Sequence, residues 1–116
     1  MVNRIAICDD VEVERFVLKR QLMVYFQTNG REAQIQEYES GESLLADIEE
    51  GYIWPDLIFL DIYMGDLNGM DTARKLRDLG VKAPIVFLTA SPDFALESYE
   101  VEAVSYTHLT LPTILL

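Results

Sequence analysis

Acidic side chains end two of the apolar runs in this chain, and a hydroxyl ends a third. Asp9 and Asp10 follow the first run, Asp61 closes the second, and Thr89 closes the third. Carboxylates brought to one point repel each other unless a cation lies among them. If the three runs end at one place, the sequence predicts a site for a divalent metal ion and phosphoryl chemistry.

The three apolar runs have the composition of buried strands. They are short, rich in Ile, Val and Phe, separated by helical patterns, and cover residues 5–8, 57–60 and 85–88. Such runs indicate strands of a parallel sheet that is buried on both faces. The carboxyl ends of parallel strands open on one crevice. We therefore expect the acids and the hydroxyl to converge there.

The segment after Asp10 predicts a first helix, and the next segment predicts an edge strand. The residues expected on the buried face of the helix are Val11, Leu18, Leu22 and Tyr25. Charged neighbours such as Glu14 and Arg15 are expected mostly to face water. Residues 33–38 alternate between apolar and polar side chains, as a half-exposed edge strand does.

Three more helices and a fifth strand complete an alternating β and α order. Ser40 is a predicted N-cap, Gly69 stands near the start of the next helix, and Ser91 begins a fourth helix. Gly80 marks a helix end, and the fifth strand is expected near residues 101–106. The order predicts one compact α/β domain.

Composition limits the possible classes of protein. The 116 residues are 50% hydrophobic, enough for one core, and the net charge of −11 argues against gripping nucleic acid or an anionic membrane. No run approaches the roughly 18 apolar residues of a membrane helix, and the amino terminus lacks a signal-peptide pattern, so a cytoplasmic location is expected. The single cysteine, Cys8, excludes a disulfide framework and is expected to be a buried hydrophobe.

Four motifs at the expected strand ends carry a resemblance to a known family. They are Ile7-Cys8-Asp9-Asp10, Phe59-Leu60-Asp61-Ile62, Leu67-Asn68-Gly69-Met70 and Phe87-Leu88-Thr89-Ala90. In this order and spacing they resemble the receiver domain of bacterial response regulators, over about residues 3 to 103. The resemblance implies a flavodoxin-like (CheY-like) α/β fold with a parallel five-stranded sheet of order 2-1-3-4-5. Residues 94–104 further resemble regulators that carry a LytTR-type DNA-binding output domain.

The resemblance implies roles for the residues at the strand ends. Asp61 would be the phosphoacceptor, and Asp9 and Asp10 would hold Mg²⁺. This ion takes oxygen ligands and keeps several waters, so we assign Asp10, Asp61 and the backbone carbonyl of Tyr63 as direct ligands, with Asp9 acting largely through water. The hydroxyl of Thr89 would donate to a phosphoryl oxygen and move inward when Asp61 is modified, which would form the switch.

Each role has a structural alternative. Asp9 and Asp10 are also suited to complementing the dipole of the first helix. Asp61 is compatible with an Asx turn, and Thr89 with capping its own backbone. The Asn68-Gly69 pair is interpreted as turn and helix-start chemistry and not as a ligand.

The function implied by the resemblance is a phosphorylation-controlled switch in a two-component system. The implied partners are a sensor histidine kinase, the chain's own DNA-binding output domain, and a second copy of the chain after phosphorylation. Direct nucleic-acid contact by this domain and membrane contact are not expected. No enzymatic activity is expected beyond Mg²⁺-assisted self-phosphorylation and dephosphorylation. Two alternatives stay open: a pseudo-receiver used for protein contacts, and an aspartyl-phosphate hydrolase of the haloacid dehalogenase type, in which Tyr63 would replace an acid.

The last residues have an unusual pattern. Residues 104–113 resemble the translation of a transposase adapter used in sequencing libraries, and all 29 formal charges lie at or before Glu102. We therefore predict a receiver domain over 1–103 and an artefactual tail over 104–116, with the output domain absent. By family spacing, Leu109 takes the place of a lysine that contacts the phosphoryl group, and the fifth helix is missing or replaced. His108 is interpreted as incidental.

Overall fold

Five parallel strands form one sheet in the order β2-β1-β3-β4-β5. The computed structural model describes residues 2–64, 67–89 and 103–107. The elements are β1 (Val2–Cys8), α1 (Glu12–Thr28), β2 (Glu32–Tyr38), α2 (Gly41–Glu49), β3 (Leu57–Asp61), α3 (Gly69–Asp78), β4 (Ile85–Thr89) and β5 (Ala103–Thr107). The predicted α/β class and strand order are confirmed, including the edge position of β2. Among the described helices, none is long and apolar enough to cross a membrane.

Some predictions concern residues outside those that the structure describes. These are the helix expected from Ser91 and the tail from His108 onward, including Leu109 and the missing or replaced fifth helix. The fifth strand lies two residues later than expected at its start.

Hydrophobic clusters cover both faces of the sheet. On one face, Ile5, Ile7 and Phe59 pack against α1. On the other face, Ala6, Cys8 and Leu60 pack against α2 and α3. Burial raises the pKa of the Cys8 thiol to about 12, so this cysteine is a buried hydrophobe as predicted. Successive side chains of a strand point to opposite faces of the sheet, so Ile5 and Ile7 lie on one face and Ala6 and Cys8 on the other.

The helix ends match the sequence signals. The Ser43 N–H donates to Oγ of the N-cap Ser40 at 3.2 Å, and the Asp71 N–H donates to Oδ1 of the N-cap Asn68 at 2.8 Å. Gly80 follows α3 with a φ of 86°, a backbone conformation that favours glycine.

The buried face of α1 differs from the prediction. Its buried residues are Arg15, Leu18, Leu22 and Phe26. Val11 and Tyr25, which were expected on this face, are 44% and 45% exposed. The expected and observed faces overlap, but the observed one is rotated toward Arg15 and Phe26, and Val11 precedes the helix as its N-cap. The expectation that Arg15 faces water is wrong.

Candidate functional site

The carboxyl ends of β1 and β3 bring two acids to the same level. Cys8 of β1 pairs with Leu60 of β3, and the next residue in each strand direction is an aspartate, Asp9 and Asp61. Carboxylate oxygens of Asp9, Asp61 and Glu14 all lie within 4.8 Å of one another. The predicted convergence of Asp9 and Asp61 is therefore present, and Glu14 joins them.

Asp9 is held on several sides and is almost fully buried, with 2% of its surface exposed. The Val11 N–H donates to its Oδ1 at 2.9 Å, and Nη1 of Arg15 donates to its backbone carbonyl at 2.7 Å. Burial is the main cause that raises the pKa of Asp9, and a hydrogen bond with the Glu14 side chain raises it further. The contact with Val11 has the i, i+2 spacing of an Asx turn and precedes α1, so the helix-dipole alternative for Asp9 stays open.

Arg15 joins α1 to the sheet beneath the acids. Besides its bond to Asp9, its Nε lies 3.4 Å from Oε1 of Glu37 on β2, an ion pair without hydrogen-bond geometry. The Arg15 side chain is only 9% exposed, and its two contacts link α1 to Asp9 and to β2 inside the molecule.

Asp61 is half-buried at the end of β3. The Tyr63 N–H donates to its Oδ1 over a long 3.3 Å, which is the geometry of the Asx turn considered as the alternative role of Asp61. Burial raises the pKa of Asp61 to about 6, against the lowering effect of the Tyr63 N–H, and the nearby charges of Glu14 and Asp10 add to the rise. Burial and nearby negative charges disfavour the charged form of this carboxylate, so a cation beside it would stabilise that form.

Glu14 was not predicted to be part of the site. It lies in the first turn of α1 and is half-buried, whereas it was expected to face water. Side chains on a helix lean toward its amino-terminal end, and α1 begins at the site, so a first-turn acid is directed back over the strand ends. That rule could have identified Glu14.

The other predicted site residues lie near this cluster. Asp10 is exposed and is not one of the three acids that cluster within 4.8 Å, but its negative charge contributes to the raised pKa of Asp61. Tyr63 is 59% exposed. Because Asp61 pairs with Leu88, the backbone of Thr89 lies one residue further along β4 at the same edge. The ligand roles of Asp10 and the Tyr63 carbonyl, and the switch role of Thr89, stay predictions.

The start of α3 packs directly against the backbone of Asp61. The Gly69 N–H donates to the Ile62 carbonyl at 2.8 Å, and a Cβ at Gly69 would collide with the carbonyl oxygen of Asp61. With Asn68 as the N-cap, the helix-start interpretation of Asn68-Gly69 is confirmed. Gly69 therefore also supports the backbone of Asp61 at the end of β3.

The donor set fits a hard divalent cation. Mg²⁺ takes oxygen ligands at about 2.0–2.1 Å in octahedral geometry, which places ligand oxygens roughly 3 to 4 Å apart. Oxygens of Asp9, Glu14 and Asp61 that lie within 4.8 Å of one another need little movement to share one ion directly or through water. In the described part of the chain, no lysine or arginine forms an ion pair with these three acids.

Several proteins similar to this chain are bacterial regulatory proteins. The family model described as "Response regulator receiver domain" matches residues 5–108. The sensory transduction protein LytT of Bacillus subtilis is 33% identical over 109 residues, which are 94% of this chain and 42% of that protein. The positive alginate biosynthesis regulatory protein of Pseudomonas aeruginosa is 32% identical over 96 residues, covering 83% of this chain and 38% of that protein. The chain thus spans less than half the length of these relatives.

Solved structures share the fold. The response regulator protein TrrA of Thermotoga maritima, solved in complex with Mg(2+)-BeF, is 28% identical with a TM-score of 0.75, over 93% of this chain and 88% of that one. The chemotaxis protein CheY4 of Vibrio cholerae is 21% identical with a TM-score of 0.72, over 97% of this chain and 90% of that one, and shows the fold alone. Receiver domains bind Mg²⁺ at an acidic pocket and interact with histidine kinases. From its matched length, its sheet order and its relatives, the chain belongs to the response regulator receiver domain family.

Proposed function

We propose that this receiver domain is a phosphoacceptor switch in which Asp61 takes a phosphoryl group from a histidine kinase or a phosphotransfer protein. The observation that carries the proposal is the half-buried Asp61 carboxylate beside the buried Asp9 at the carboxyl edge of the sheet. Its raised pKa, caused mainly by burial, is typical of functional sites. TrrA, similar over most of this chain, is solved with Mg(2+)-BeF.

The proposed step is an in-line transfer. An oxygen of the Asp61 carboxylate attacks the phosphorus of a phosphohistidine, a P–O bond forms, the P–N bond breaks, and the imidazole leaves with its electron pair. When bound, Mg²⁺ would offset the negative charge that accumulates between the donor and the acids. We propose that Asp9, Asp10, Asp61 and the Tyr63 carbonyl hold it, Asp9 largely through water.

The neighbouring elements position Asp61 and Asp9 for this step. Gly69 supports the backbone of Asp61, and Arg15 holds the backbone carbonyl of Asp9. Thr89, at the same edge on β4, would donate its hydroxyl to a phosphoryl oxygen and move toward Asp61 after transfer. That contact would exist in only one of the two states, which is what a population shift requires.

An exposed apolar surface beside the site supports docking of the phosphodonor. The α1 outer face consists of Val13, Phe16, Met23 and Val24, which are 69%, 61%, 53% and 56% exposed. A shallow groove on this helix is lined by Phe16, Met23 and the cationic Lys19 and Arg20, among others. Because α1 begins beside Asp9 and Asp10, a partner on this face would bring its phosphohistidine toward Asp61. Its apolar centre and cationic rim favour a helix with apolar and acidic residues.

We propose that the longer protein is a cytoplasmic transcriptional regulator with a LytTR-type DNA-binding output domain, which dimerises on phosphorylation. The support is the greater length and regulatory nature of the relatives.

The boundary near residue 104 also stays a proposal. The described strand β5 includes residues 104–107 and pairs with β4 through backbone groups, which makes little demand on side-chain identity. Recovering the same residues 104–113 from independent sequencing reads of the locus would refute the adapter origin.

The test is phosphorylation by a small donor. The chain is incubated with Mg²⁺ and acetyl phosphate, and intact mass is compared for wild type, Asp61→Asn and the exposed control Asp78→Asn. We expect one phosphoryl adduct on wild type and the control and none on Asp61→Asn. A Leu109→Lys variant restores the lysine implied by family spacing and is expected to label faster. No adduct on either wild type or Leu109→Lys would favour the pseudo-receiver, and turnover of unrelated phosphoesters would favour the hydrolase.

A further inference from the structure

Glu14 is a third acid at the metal site, and none of the roles proposed above uses it. Its carboxylate lies within 4.8 Å of those of Asp9 and Asp61, although it comes from a different element, the first turn of α1. The nearest cationic side chain in sequence, Arg15, contacts the backbone carbonyl of Asp9 and the carboxylate of Glu37 instead. Within the described residues Glu14 therefore has no ion-pair partner.

We infer that Glu14 acts on the bound Mg²⁺ through a metal-held water and by its charge, and thereby raises the affinity of the unphosphorylated domain for divalent cations. This inference rests on the proposed function, because it concerns the same site. Glu14 carries one more methylene than an aspartate and is anchored on a helix, while Asp9 and Asp61 are anchored at strand ends. A carboxylate at this separation reaches the hydration shell of the ion without displacing an aspartate ligand.

The expected size of the effect follows from Coulomb's law. A unit negative charge about 5 Å from a divalent cation, with the dielectric constant of water, changes the binding constant by about tenfold. Salt screens exposed charges more than half-buried ones, so the effect of Glu14 should persist at physiological ionic strength. An exposed acid in the same helical turn should have a smaller effect.

Glu12 provides the matched control. It lies in the same first turn of α1 and is exposed, so Glu12→Gln removes the same charge and a similar interaction with the helix dipole as Glu14→Gln. Glu14→Asp keeps the charge but shortens the side chain by one methylene. The pair Glu14→Gln and Glu14→Asp therefore separates the effect of charge from the effect of reach.

The experiment is a direct titration of the purified chain with Mg²⁺ at constant ionic strength and pH, in which binding is measured by calorimetry or by backbone amide NMR. We expect the Kd to rise about tenfold for Glu14→Gln, less for Glu14→Asp, and at most about twofold for Glu12→Gln. A second measurement is the Tm in EDTA and in excess Mg²⁺. Because Glu14→Gln relieves repulsion among the metal-free acids, the rise in Tm on adding Mg²⁺ should be smaller than in wild type.

The outcomes separate this inference from the proposed function. If wild type is labelled by acetyl phosphate but Glu14→Gln binds Mg²⁺ as tightly as wild type, the inference is wrong and the proposed function stands. An equal loss of affinity in Glu12→Gln would also overturn it, since a general charge effect would then explain the result. If wild type neither binds Mg²⁺ nor is labelled, both are wrong.

Discussion

Gly69 lies directly against the backbone of Asp61, and there is no space between them for a side chain. Its N–H donates to the carbonyl of Ile62 at 2.8 Å, and a Cβ would overlap the carbonyl oxygen of Asp61. The first residue of α3 therefore helps to set the position of Asp61 at the end of β3, although it contributes no reacting atom.

Substitution of Gly69 by alanine should affect both stability and labelling. Because the clash is with backbone, which yields less readily than a side chain, we expect Gly69→Ala to lower the free energy of unfolding by about 1–3 kcal/mol. The labelling rate of the folded protein should fall as well, because Asp61 is displaced. Urea unfolding and acetyl phosphate labelling measure the two effects.

Gly51→Ala is the control for this substitution. Gly51 follows α2 with a φ of 79°, so alanine strains the backbone there, but a Cβ would meet no atom within 4 Å and therefore would not contact the residues around Asp61. Labelling per folded molecule should stay at the wild-type rate. If Gly69→Ala labels as fast as Gly51→Ala, Gly69 has no positioning role.

Loss of the Arg15 side chain should destabilise the domain. Arg15→Met removes the donor to the buried Asp9 carbonyl and the ion pair with Glu37, so we expect the free energy of unfolding to fall by about 1–3 kcal/mol. The exposed Arg20 on the same helix provides the control Arg20→Met, for which a change below about 0.5 kcal/mol is expected. Equal urea midpoints for the two variants would contradict a stabilising role of the Arg15 contacts.

The raised pKa of Asp61 predicts a pH dependence of stability in the absence of metal. In the folded state this pKa is about 6, above the ordinary 3.8, so the folded domain binds more protons than the unfolded chain between these values. The free energy of unfolding contributed by Asp61 is therefore lost as the pH rises through this window. In EDTA, wild type should lose stability relative to Asp61→Asn between about pH 4 and 6, as followed by urea midpoints.

A constant difference between wild type and Asp61→Asn over this range would contradict the prediction. Excess Mg²⁺ should oppose the trend, because the ion binds the deprotonated acids and stabilises the folded state by mass action. The stabilisation by Mg²⁺ should therefore be larger at pH 7 than at pH 5.

The α1 outer face should affect transfer from a protein donor and not from a small molecule. Phe16→Ser removes an exposed aromatic ring from the proposed docking surface, and we expect phosphotransfer from a histidine kinase that labels wild type to slow by about tenfold or more. Labelling by acetyl phosphate should be unchanged. Tyr52→Ser, at a residue that is 77% exposed between α2 and β3, is the control and should leave both rates unchanged. A similar slowing in Tyr52→Ser would rule out a specific surface on α1.

The sheet and the two converging aspartates could be predicted from the sequence because each depends on a local pattern. The apolar runs that end in Asp9 and Asp61 identify buried parallel strands, and parallel strands place their carboxyl ends together. Arg15 and Glu14 were missed because charged residues on a helix are usually exposed and were therefore expected to face water. Arg15 is buried because its guanidinium donates to the backbone carbonyl of Asp9 and forms an ion pair with Glu37, and Glu14 faces the site because first-turn side chains lean toward the helix start. Both depend on tertiary neighbours that periodicity does not contain.

The central claim, that Asp61 accepts the phosphoryl group, is tested most directly by trapping the acyl phosphate. Borohydride reduces an aspartyl phosphate to homoserine, and peptide mass mapping then locates the converted residue. After incubation with Mg²⁺ and acetyl phosphate, we predict homoserine at position 61 and at no other aspartate. Conversion at Asp9 or Asp10 with Asp61 intact would contradict this assignment.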